Sequence, residues 1–140
     1  MTISKASAEW TGNLKEGKGQ VSGANGKFQA PFSFATRFEG ASGGTTPEEL
    51  IGAAIAGCFS MFLSAQLSEA GHAPTRISTS AQVHLEQGPV VSKIELETVA
   101  NVPGVDQKLF DQKVAFSKEN CPISKALGGV PSITVKARLG

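Results

Sequence analysis

The stretch PEELIGAAIAGCFSMFLSAQL, residues 47–67, decides the fold and carries Cys58 near its middle. It is apolar almost all the way round. Thr46 is a good N-cap, Pro47 suits a first helical position, and Glu49 stands where a capping-box partner stands. Gly71 is placed to end the helix. These signals predict a helix over about 47–70. A membrane span takes about 20 predominantly apolar residues. This run approaches that length, but it is rich in Ala and interrupted by Gly52, Gly57, Ser60 and Ser64. It reads as a core helix, and no membrane is expected as a partner.

Upstream, AEWTGN reads as a weak strand. Val21 and Phe28 flank Asn25-Gly26, a dipeptide that favours a tight hairpin turn. PFSFATRF (31–38) alternates Phe32, Phe34, Thr36 and Phe38 against Ser33, Ala35 and Arg37, which predicts a strand with one aromatic face and Arg37 on the other. Downstream, Ile77, Thr79, Ala81, Val83 and Leu85 alternate with polar residues and predict a half-buried strand ended by Gly88-Pro89. VVSKIELETVANV (90–102) alternates again, in a register that the residues near the turn leave open. A second helix is expected over about 106–119, capped by Asp106, with Leu109, Phe110, Val114 and Phe116 facing inward. CPISKALGG opens a short helix at Pro122, and SITVKARL (132–139) is a last strand. The order of elements predicts an α+β fold with antiparallel sheets packed on a long central buried helix.

The chain has 140 residues, which suits a single domain over 1–140. Apolar residues make up 40% and charged residues 18%, as in globular proteins. A net charge of +1, with Lys and Arg scattered, argues against nucleic acid and anionic lipid. The first residues hold no apolar signal-peptide core, so a cytoplasmic location is expected.

Two cysteines in that compartment are either inert core thiols or a redox pair. Free cysteine often packs as a small hydrophobe, which is the plain reading of Cys58. Cys121 is different. It stands directly before Pro122, where a helix starts, and unpaired N–H groups there favour a thiolate. The thiols are far apart in sequence, and His72 and His84 fit neither a zinc finger nor a zincin, so no metal is expected. His84 reads as a solvated residue on a polar strand face. There is no C-x-x-C, P-loop, G-x-S-x-G or G-x-G-x-x-G, and no cofactor is called for.

TRFEG (36–40), the helix around Cys58, VPGVD (102–106) and NCPISKAL (120–127) together resemble the OsmC/Ohr family, the osmotically inducible and organic hydroperoxide resistance proteins. WTGNLKEGKGQVSG (10–23) is closer to the OsmC branch. The resemblance implies a thiol-dependent peroxidase acting on hydroperoxides, and an intertwined homodimer of α+β subunits. It implies Cys58 as peroxidatic cysteine, Cys121 as resolving cysteine, Arg37 as activating arginine and Glu48 as its carboxylate partner. It also points to a lipoyl-type external dithiol as reductant.

The chemistry is coherent. Only a thiolate attacks peroxide, and burial alone raises a thiol's pKa. A nearby arginine lowers it by roughly 1–3 units. Glu48 and Cys58 lie ten positions apart, about 15 Å along one helix, so one arginine does not easily serve both within a subunit. A dimer in which Arg37 and Glu48 of one subunit serve the other's Cys58 resolves this. Phe32, Phe34, Phe59 and Phe62 are candidates for an apolar substrate wall, and core packing accounts for them equally. Rival readings are a non-catalytic module for a small hydrophobic ligand and a thiol redox sensor.

Overall fold

Residues 1–140 are described by a computed structural model. They form two units, Met1–Leu50 and Ile51–Gly140.

The first unit is built on an antiparallel meander of β1 (Ala6–Thr11), β2 (Lys18–Gly23) and β3 (Gln29–Phe32). Asn25 and Gly26 both take positive φ, 59° and 68°, as the dipeptide predicts. The connection nevertheless runs over 24–28, closed by the Gly23 N–H donating to the Phe28 carbonyl at 2.9 Å.

The predicted strand over 31–38 is corrected. It stops at Phe32, and Phe34–Phe38 is a short helix, α1. Ser33 caps it: its Oγ accepts from the Thr36 N–H at 3.1 Å, and its own N–H donates to Thr36 Oγ1 at 2.9 Å. This reciprocal box satisfies two orphan donors that a strand edge would leave open. The aromatic alternation was misleading because Phe34 and Phe38 also meet as helical i,i+4 neighbours, with ring centroids 5.0 Å apart.

The long helix, α2, runs over Pro47–Glu69. Thr46 Oγ1 accepts from the Glu49 N–H at 2.9 Å, so the N-cap stands. Glu49 does not close a box on Thr46; its carboxylate takes the Thr45 hydroxyl at 2.6 Å. At the other end Gly71, φ +86°, allows the His72 N–H to reach the Leu67 carbonyl at 2.9 Å while its own N–H reaches Ser68.

In the second unit, β4 (Arg76–Glu86) pairs antiparallel with β5 (Val90–Asn101), and β6 (Ser132–Leu139) pairs with β5 in parallel. The expectation of wholly antiparallel sheets is therefore corrected at this pair. Between β5 and β6 the chain forms α3 (Gln107–Asn120) and α4 (Pro122–Ala126), the long helical crossover that a parallel pair needs. A register shift at His84/Leu85 explains why alternation near the turn was ambiguous. Beyond it, Ile94, Leu96, Thr98 and Ala100 all face the core.

Ile55, Phe59, Leu63 and Leu67 form one fully buried stripe of α2 at helical spacing. They pack with Ile94, Leu96 and Ala100 of β5 and with Phe110 of α3. Truncating any of the larger ones to Ala would cost about 2–5 kcal/mol. Thr98 sits in this row without stranding its hydroxyl, because it bonds Thr79 at 2.9 Å, which in turn accepts from Ser60 at 2.7 Å. The helix is long and apolar enough to cross a membrane by length and composition alone. Its other face, with Ala53, Ala54, Gly57, Met61 and Ala65, is exposed in the single chain, Met61 to 77%. Burial is thus one-sided within the chain. Phe116 does not face inward as expected; it lies 49% exposed and stacks on Phe62, while Ser117 takes the buried position.

Candidate active site

Arg37 and Glu48 form a two-pronged pair. Arg37 Nε donates to Glu48 Oε1 at 3.0 Å and Nη2 to Oε2 at 2.9 Å. The carboxylate is nearly buried, its side chain 8% exposed, while the arginine side chain is 35% exposed. The geometry suits the planar guanidinium fork. Two local features aim it. The Ser33 cap fixes α1, and the Thr36 hydroxyl donates to the Thr45 carbonyl at 3.0 Å, just ahead of α2 and Glu48. Gly44 makes this approach possible, since a Cβ there would stand 2.8 Å from the Pro31 carbonyl oxygen and from Thr36 Cγ2.

The guanidinium also lies 5.3 Å over the Phe38 ring. A pocket of about 220 Å³ opens beside it, lined by Trp10, Leu14, Phe32, Phe34, Phe38, Ser33 and Arg37. Of the four phenylalanines considered for an apolar wall, Phe32 and Phe34 line this pocket and Phe59 is core. Phe62 is engaged with Phe116.

The second unit brings the two thiols together. Both are free, Cys58 half-buried and Cys121 fully buried. Burial pushes the Cys58 thiol above its ordinary value. The backbone N–H of Ile123 pulls the other way, and the neighbouring Cys121 thiol pushes it up. Cys121 is itself the N-cap of α4, as its place before Pro122 predicted. Its Sγ accepts from the Ser124 N–H at 3.4 Å and donates to Ser124 Oγ at 3.1 Å.

Ile123 and Ser124 were missed in the sequence. A signal for them exists: an N-cap side chain receives the N–H of the third helical residue, which after Cys121-Pro122 is Ser124. His84 is not simply solvated, because its Nε2 contacts Glu95 Oε1 at 2.6 Å. That bond, followed by Lys93, holds the Glu95 carboxyl below the usual carboxylate range.

A family model described as OsmC-like protein matches residues 40–136. Peroxiredoxin OsmC of Escherichia coli is 49% identical over 132 residues, covering 91% of this chain and 92% of that protein. Among solved structures, an OsmC-like protein of unknown function from Vibrio cholerae superposes with TM-score 0.77 at 14% identity, covering 99% of this chain and 100% of that one. An organic hydroperoxide resistance protein OsmC from Legionella pneumophila gives 0.71 at 23%, covering 100% and 99%. These structural likenesses show the shared fold.

Proposed function

Because the chain belongs to the OsmC-like protein family, we propose that it is a thiol-dependent peroxidase that reduces organic hydroperoxides. One observation carries this reading: two cysteines distant in sequence become neighbours close enough for one thiol to shift the other, Cys58 half-buried and Cys121 fully buried at the N-cap of α4. The peroxiredoxin name of the Escherichia coli relative supports the same chemistry.

Cys58 thiolate attacks the outer oxygen of the hydroperoxide. The O–O bond breaks, the alkoxide leaves as alcohol after taking a proton, and Cys58 becomes a sulfenic acid. Cys121 then attacks that sulfur, water leaves, and a Cys58–Cys121 disulfide forms. An external dithiol, of lipoyl type in this reading, restores both thiols by exchange. The apolar pocket beside Arg37 supports an alkyl substituent on the substrate.

Within its own unit burial pushes the Cys58 thiol upward, so a cation that favours the thiolate has to act on it. Arg37, oriented by Glu48, is that cation, supplied by the second subunit of a homodimer. The exposed apolar face of α2 supports such an association. The two units act as parts of one functional domain, since both α2 and the family match cross Leu50. The site of action is the cytoplasm.

Mass spectrometry after one equivalent of an alkyl hydroperoxide tests the reading. Loss of two hydrogens within a chain, with alcohol released, is expected. Retained hydroperoxide, or full turnover by Cys58→Ser, would overturn it.

A further inference from the structure

We infer that Ser124 is an additional catalytic residue, whose hydroxyl holds the proton of the Cys121 thiol and sets the rate at which Cys121 captures Cys58. The inference rests on reading Cys121 as the resolving thiol.

Ser124 touches the sulfur twice. Its N–H donates to Cys121 Sγ, and its Oγ accepts from the thiol at 3.1 Å. Both residues are buried, Cys121 fully and Ser124 to 8% exposure. The backbone bond alone would complete the cap, so the hydroxyl is free for a second duty. A hydroxyl both accepts and donates. While the sulfur is a thiol, Ser124 Oγ takes the S–H bond and leaves a sulfur lone pair for attack. As the sulfur gains negative charge, the same hydroxyl turns and donates to it. Alanine does neither.

The steps balance. In resolution, the Cys121 sulfur bonds the Cys58 sulfenic sulfur and the S–O bond breaks. The proton first shared with Ser124 Oγ ends on the departing oxygen, which leaves as water. In reduction, an external dithiol attacks the disulfide, and Cys121 leaves as a thiolate that the Ser124 O–H meets.

The same attack can be followed without peroxide. An aromatic disulfide reagent whose released thiol absorbs visible light first reacts at the half-exposed Cys58, leaving a mixed disulfide and one aromatic thiol. Cys121 then displaces the second aromatic thiol and closes the Cys58–Cys121 disulfide. Stopped-flow absorbance resolves the two phases in the full chain. The ratio of the second rate to the first should fall by about tenfold in Ser124→Ala, the scale of one lost hydrogen bond. It should return to near the parent value in Ser124→Thr, which keeps the hydroxyl.

A ratio in Ser124→Ala within twofold of the parent would overturn the inference. So would Ser124→Thr as slow as Ser124→Ala, because packing would then be the cause, or a parent with no second phase. A parent that closes its disulfide but consumes no hydroperoxide would overturn the peroxidase reading, while a slowed Ser124→Ala would still support the role of Ser124.

Discussion

A carboxylate as buried as Glu48 is held by what it touches, and it touches Arg37 through both oxygens. Removing the arginine would strand a buried charge, whereas the arginine, a third exposed, still has water. The pair is therefore a means of fixing a guanidinium. If that guanidinium serves Cys58 of a second subunit, Arg37→Ala should raise the pH at which the Cys58 thiolate appears by roughly 1–3 units. Burial already pushes this thiol upward, so nothing local offsets the loss except the Ile123 N–H. Thiolate absorbance against pH in Cys121→Ser, with and without Arg37→Ala, reads the shift directly. An unchanged midpoint would remove Arg37 from the chemistry. At this scale the sequence was informative wherever residue type constrains the chemistry. A proline at a first helical position marks a helix start, and Cys121, directly before Pro122, is found as its N-cap. The Ile123 contact with Cys58 was not legible, because a backbone N–H carries no residue signature and only the packing of α4 aims it.

Among the elements, the buried hydroxyls separate satisfied polarity from stranded polarity. Thr79 lies at the centre of a chain from Ser60 on α2 to Thr98 on β5. Thr79→Val keeps the shape but leaves two hydroxyls without that partner, and should lower stability by about 1–3 kcal/mol in urea denaturation. Ser117 is the opposite case. It is fully buried in α3, and its Oγ has no hydrogen-bond partner. Ser117→Ala should raise the midpoint of thermal unfolding by a few degrees, since it removes an unpaired polar group and improves helix propensity. A drop in that midpoint would mean that the hydroxyl is paired after all. The same balance between local bonding and pattern explains the errors in reading elements. Period-2 aromatics suggested a strand over 31–38, and the Ser33–Thr36 box outweighed them. Regular alternation in SITVKARL revealed a strand and its inward face, but alternation carries no information on direction, so the parallel pairing with β5 was out of reach.

For the molecule as a whole, α2 raises the central question: a helix apolar on nearly every side is buried on one. Exposed Met61, with Ala53, Gly57 and Ala65 on the same stripe, is the surface on which the proposed second subunit would sit. Association alone would not show that the active site spans two subunits, since a dimer can carry two self-contained sites. Complementation separates the cases. On the proposed roles, Cys58→Ser lacks the nucleophile and Arg37→Ala lacks the cation, so each alone should be inactive. If Arg37 acts on the partner's Cys58, a mixed dimer regains one intact site, the arginine from the first variant meeting the cysteine from the second. Unfolding and refolding the two together in equal amounts makes half the dimers mixed, so activity should return to about a quarter of the parent level. If each site is self-contained, every site in the mixture lacks one group and no activity returns. Recovery that grows with the mixed fraction, measured with an alkyl hydroperoxide and a dithiol, is the outcome that the shared site requires.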